Sequence, residues 1–209
     1  MEITKIGVHH FAGNYTLSQV NLSHKQRWPD FPSRLRPDLY VGYNIIIWKD
    51  GSWIQTRFIG EETAAAKGAN TGAVHIALAG DFNVDKPSWA QKDTLKRVLV
   101  QIVKKDLAEF KVLSGTTVNV KKENVFPHRL LGVTVTDCYG SSLADDWARL
   151  TAFGVPEEIK PLPLQSGGPE LSRMQKTIEV LKKLIESYIL LNKIKLGGQV
   201  AGCTVDMRG

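Results

Sequence analysis

Gly42–Phe58 reads GYNIIIWKDGSWIQTRF. Two runs rich in β-branched and aromatic residues, YNIIIWK and SWIQTRF, flank Asp50-Gly51. Such residues suit a pleated, half-buried surface. An Asp-Gly pair suits a tight turn that needs positive φ, so the stretch predicts a β-hairpin. Toward the N-terminus, Arg34–Asp38 holds Pro37 and reads as loop. Tyr15–Trp28 reads as a helix with Leu17, Val20 and Leu22 as its apolar positions, and Lys5–Phe11 (KIGVHHF) as a short strand. Toward the C-terminus, Ala73–Ala79 (AVHIALA) is another strand, and Asp81–Asp85 turns away from its end. Pro87-Ser88 opens a helix, where Ser88 and Gln91 fit a capping box. Leu95, Val98, Leu99, Ile102, Val103 and Leu107 recur at helical spacing, carrying that helix to about Phe110. Val118–Phe126 reads as loop with a short strand or two, and Leu143–Ala152 as a short helix.

The 209 residues suit one domain with an appendage, or at most two small domains. An apolar fraction of 43% can build a core, and 23% charge is ordinary for a globular chain. A net charge of +6 favours anionic partners by long-range attraction. Nucleic acid, anionic lipid and anionic wall polymer all qualify. The two cysteines, Cys138 and Cys203, are not expected to pair, since a domain of this size needs no such staple. Met1–Gly7 holds no apolar signal region, and no apolar run reaches membrane-spanning length. A substrate outside the cytoplasm would then require delivery by another component.

Composition changes after Gly154. Ile159–Pro169 (IKPLPLQSGGP) carries three of the nine prolines and a Gly-Gly pair, and reads as a linker. The expected division is 1–154, 155–169 and 170–209. Leu171–Leu196 reads as one long helix with a heptad seam at Leu171, Met174, Ile178, Leu181, Ile185 and Tyr188. Such a stripe must pack on the preceding domain, on a second copy in a homo-oligomer, or on a membrane surface. Glu170, Glu179 and Glu186 weaken the membrane reading. The sequence leaves the tail Gly197–Gly209 open.

Chemistry concentrates in a few histidines and one cysteine. A catalytic zinc takes three protein ligands and keeps one open position. Imidazole and thiolate both suit that ion. The chain offers His9 and His10 at a strand end, His128 in PHRLLG, and Cys138 ten residues later in TDCYG. The segment from His128 to Cys138 contains Gly132 and can loop over to bring its ends together. Side chains alternate along a strand, so His9 and His10 should face opposite sides; periodicity does not say which faces the metal.

Taken in order and spacing, IGVHHFAG, VGYNIIIWKDGSWIQTR, AVHIALAGDFN and PHRLLGVTVTDCYG resemble the zinc amidases of the type-2 N-acetylmuramoyl-L-alanine amidase family. Phage endolysins and peptidoglycan recognition proteins share that fold. The resemblance covers roughly Lys5 to Leu150. It implies an α/β fold with a central mixed β-sheet flanked by helices, to which the C-terminal helix is an addition. It also implies a Zn²⁺ site in which His9, His128 and Cys138 are the ligands, leaving His10 structural. Tyr43 matches a tyrosine beside the metal water, as a water-orienting group or oxyanion donor. Thr136 sits where other members carry threonine or lysine, and offers only a neutral hydrogen bond.

The chain also departs from the family. Many members carry polar groups where AAAKGANTG stands here, so Ala65 and Ala69 replace them. His75 takes the place of a more usual small or apolar residue and reads as a core or surface histidine. Asp81, Phe82, Asn83, Trp28 and Arg129 are candidates to line a groove. The implied activity is cleavage of the amide between N-acetylmuramic acid and L-alanine of bacterial peptidoglycan, as in an endolysin made in the host cytoplasm and released by a membrane-permeabilising partner. Nucleic acid is not an expected partner. The competing readings are a peptidoglycan-binding protein without catalysis and a phage structural component with a wall-cutting domain.

Overall fold

The computed structural model describes residues 1–154. The linker and the long helix expected beyond them lie outside the described residues, as does Cys203.

The described chain opens with β1 (Glu2–Ile3) and β2 (Lys5–His10), then α1 (Leu17–Arg27). The hairpin follows as β3 (Ile45–Ile47) and β4 (Trp53–Gln55), antiparallel, with Ile46 opposite Ile54. Gly51 supplies the positive φ of +84°. Asp50 contributes differently, its carboxylate accepting from the Ser52 N–H and hydroxyl. Next come β5 (Ala73–Leu78), α2 (Trp89–Lys104), β6 (Thr117–Val118), β7 (Val125–Pro127), α3 (His128–Leu131) and α4 (Trp147–Phe153). The five-stranded sheet has the order β4-β3-β5-β2-β7, and only β4 runs antiparallel to its neighbour. The small β1–β6 pair stands apart from it. A mixed sheet flanked by helices is thus the architecture.

Interior parallel strands are covered on both faces, and β5 is buried along its whole length. Alternation then sorts the side chains. Ile6, Val8, Val74, Ile76, Leu78, Ile45 and Ile47 join Leu95, Val98, Leu99 and Ile102 of α2 in the main core. On the opposite face Ile46 packs with Val20 of α1 and Val41. His9, His75 and Gly7 fall on this second face by the same period-two rule. The buried Arg57 braces the segment before β3, donating to the Val41 and Phe31 carbonyls and pairing with Glu61.

Three sequence expectations need adjustment. First, α2 stops at Lys104 rather than near Phe110. Lys105 takes a left-handed conformation at φ +62°, and the Asp106 N–H closes the end on the Gln101 carbonyl. Phe110 still packs on Trp53, with ring centroids 5.6 Å apart. The returning loop meets the same core, so the apolar periodicity outlasts the helix. Second, α1 is shorter than Tyr15–Trp28, because Thr16 and Gln19 form a capping box at its start. Leu22 is exposed on its outer face. Third, α4 begins at Trp147, not Leu143. The Tyr139 hydroxyl donates to the carbonyls of Ala144 and Asp145 and accepts from the Ala148 N–H, which holds those residues in a turn.

Candidate metal centre

The C-terminal end of β2 carries His9 and His10, and their rings go to opposite sides. His10 Nδ1 accepts the Phe82 N–H at 3.0 Å, and its ring lies against Phe82. That nitrogen is therefore an acceptor. The Asp81 carboxylate 3.9 Å away is a secondary neighbour, and burial keeps His10 below the usual histidine range. His9 turns instead toward His128, Tyr43 and His75, with ring centroids 4.6, 5.2 and 5.1 Å away.

Beside β2, β7 delivers the chain into α3, whose first residue is His128. The following loop returns, and the Arg129 N–H donates to the Cys138 carbonyl at 2.8 Å. Arg129 also holds the Gly140 and Leu143 carbonyls and pairs with Asp145. These contacts lock the loop in its closed path. The Cys138 N–H donates to Thr136 Oγ1, and the His10 N–H donates to Cys138 Sγ at 3.4 Å.

One ligand atom from each of His9, His128 and Cys138 then lies within 4.8 Å of the others. Cys138 Sγ and His9 Nδ1 are 3.8 Å apart. Metal–sulfur and metal–nitrogen bonds to zinc add to about 4.4 Å, so one ion can touch both atoms. His128 Nε2 is a buried nitrogen with no hydrogen-bond partner among the described residues. A buried polar atom left unpaired costs about 1–3 kcal/mol, and a metal ion is one partner that would satisfy it. Burial lowers the pKa of His9 and of His128, keeping both rings neutral as metal binding requires. Burial also pushes the Cys138 thiol up to about 11, against the pull of the His10 N–H and Arg129. A cation at the site is what would convert that thiol to thiolate. On this donor set the residues fit zinc.

Tyr43, just before β3, faces the same space. Burial pushes its phenol above the ordinary tyrosine range, with Cys138 adding to the effect, so it stays a hydrogen-bond donor. Its ring forms one wall of a groove of about 390 Å³ bounded by Phe11, Tyr15, Gln19 and His24. His24 Nδ1 accepts the Gly42 N–H at 2.9 Å and so ties α1 to this segment. Thr136 is near the cluster; its oxygen accepts the Cys138 N–H, and its hydroxyl proton is left to donate. Of the groove candidates, Phe82 is a core residue with no exposure. Asn83 accepts from the Ser141 N–H, and Trp28 packs edge-on against His24. Arg129 is the brace of the loop.

Sequence reasoning missed two groups. Of the two alternatives, core or surface, His75 is a core residue, and it also bonds His9: their Nδ1 and Nε2 atoms are 2.8 Å apart. Asn44 fixes the backbone of His75, accepting its N–H at 2.7 Å and donating to the Phe58 carbonyl at 2.8 Å. Neither signal is local, since each depends on which strands become neighbours.

The family model for N-acetylmuramoyl-L-alanine amidase matches residues 1–139. No curated protein sequence gives a significant match. Among solved structures, the Ph2119 endolysin from the Thermus scotoductus MAT2119 bacteriophage Ph2119 is similar, with a TM-score of 0.51 and 20% identity, over 73% of this chain and 86% of that one. PGRP-SA of Apis mellifera is similar at a TM-score of 0.52 and 17% identity, over 72% and 82%. The N-acetylmuramoyl-L-alanine amidase LysC from Clostridium intestinale URNW has 24% identity over 66% and 76%, with a TM-score of 0.48. At these identities the likeness to the endolysin and to PGRP-SA, with TM-scores of 0.51 and 0.52, establishes the fold alone.

Proposed function

This chain belongs to the N-acetylmuramoyl-L-alanine amidase family, and from that membership we propose that it is a zinc-dependent hydrolase of the amide joining N-acetylmuramic acid to L-alanine in peptidoglycan. The observation that carries the reading is the convergence of His9, His128 and Cys138, which bring one ligand atom each within 4.8 Å of the others. The retained cysteine favours catalysis over binding alone. It gives the centre two neutral rings and one thiolate, a donor set matched to zinc and to an open position.

Bound there, zinc supplies an activated water and polarises the scissile carbonyl. The protein's own residues do the rest. The His10 N–H and the Thr136 hydroxyl hold Cys138 from two sides and fix its direction. Tyr43 keeps its proton and sits beside His9, positioned to donate to the oxygen that gains charge in the transition state. Thr136 can add a neutral donor through its free hydroxyl proton. The groove next to Tyr43 is the place for the glycan–peptide junction. The net charge of +6 assists encounter with anionic wall polymer.

The biological setting in this reading is that of an endolysin, made in the host cytoplasm and delivered to the wall by a permeabilising partner. Among the described residues no helix is long and apolar enough to cross a membrane. The test is to incubate the purified full chain with peptidoglycan, with chelator and after zinc is restored, and to follow new L-alanine amino termini by mass spectrometry. Release that stops with chelator and returns with zinc is expected. Binding to the wall without release, by fully zinc-loaded protein, would replace the enzyme with a recognition module.

A further inference from the structure

His75 forms a relay behind the centre. Its Nε2 lies 2.9 Å from the Ala69 carbonyl oxygen. A carbonyl only accepts, so that nitrogen carries the hydrogen. In the neutral ring Nδ1 is then bare and must accept from His9 Nε2, 2.8 Å away. His9 is left with its lone pair on Nδ1, the nitrogen 3.8 Å from Cys138 Sγ. One backbone carbonyl thereby sets the tautomers of two rings in series.

We infer that His75 is a positioning residue that orients His9 and holds its Nδ1 free to take the metal, a role that rests on the metal-centre reading above. The sheet is built around it. Gly7 is the register partner of His75 on β2, and a Cβ there would meet His75 Nδ1 at 2.8 Å and Leu131 Cδ2 at 2.5 Å. The glycine leaves the room that the imidazole fills. His75 is fully buried, and Asn44 clamps its backbone. The acceptor is placed as firmly: the Ala69 N–H closes a turn on Ala66, and Asn70 Oδ1 accepts from the Ala65 and Ala66 N–H groups. Partners of this kind, behind a metal-bound histidine, typically change metal affinity about 10–100-fold.

The test uses the full chain as wild type, His75→Ala and His75→Asn. Zinc affinity is measured by competition with a chromophoric chelator. Imidazole ¹⁵N shifts of the metal-free proteins report the tautomers. Wild type should show His9 protonated on Nε2, and His75→Ala should mix the tautomers and weaken zinc binding about 10–100-fold. Asn presents an acceptor near the place of Nδ1, so His75→Asn should recover much of the affinity; it also stands in if the alanine variant fails to fold. A wild-type chain that takes up no zinc removes the metal-centre reading and this role with it. Tight zinc binding by wild type and both variants alike, or His9 protonated on Nδ1 in wild type, overturns the relay alone.

Discussion

Asn44→Ala is the substitution whose cost follows most directly from the structure. The side chain has no solvent exposure and makes two hydrogen bonds to backbone, accepting from the His75 N–H and donating to the Phe58 carbonyl. Its own backbone bonds, to the His75 carbonyl and from the Thr56 N–H, survive the change. Alanine therefore leaves one donor and one acceptor without a partner. Each such group costs about 1–3 kcal/mol when buried. Phe58 is partly exposed, so its carbonyl should lie at the low end, and the total loss is about 2–4 kcal/mol. For a domain of this size that lowers Tm by roughly 4–16 °C. Asn44→Asp should cost at least as much: it keeps an acceptor for His75 but sets a buried carboxylate against the Phe58 carbonyl. Urea unfolding of the metal-free full chains measures both, with an unchanged m-value as the check that the denatured state is the same. A loss below about 1 kcal/mol for either variant would refute the claim that Asn44 is the polar tie between β3 and β5.

Tyr43→Phe should retain zinc and fold while turnover drops about a hundredfold or more; an unchanged rate removes the phenol from the mechanism and leaves Thr136 as the donor. Folding stability should also depend on His24. Burial first, then Arg27 and Arg57, lower its pKa from 6.5 to about 4 in the folded chain. The unfolded chain binds the proton first as pH falls, so this contribution is whole above about pH 6.5 and drains away between there and about pH 4. Allowing for partial exposure, about 1–2 kcal/mol should be lost by about pH 5. Urea unfolding with chelator present, at neutral pH and near pH 5, should show a smaller difference for His24→Gln than for wild type; equal differences would exclude His24 as the source.

The sequence by itself carries what is decided within a turn or two of chain. The Asp50-Gly51 hairpin and the Ser88–Gln91 capping box are local hydrogen-bond problems with local solutions, and both are legible. Strand alternation separates His9 from His10 without assigning either. Only the resemblance of the flanking motifs singles out His9, His128 and Cys138. The tertiary structure decides the rest, because it decides neighbours. Phe82 follows a strand like a groove residue, yet it fills the core once Gly140 closes over its backbone. Leu107 and Phe110 prolong the helical period of α2, though the chain has already reversed at Lys105. Ala69 has no polar side chain, so a reading of side chains passes over it; its contribution is a carbonyl, aimed by the Asn70 turn. His75 looks idle in AVHIALA because its partner is set by the β2–β5 register, which lays it across Gly7 and against His9. Periodicity tells which face of a strand a residue takes, but pairing register, fixed by burial of both sheet faces at once, determines what it meets there.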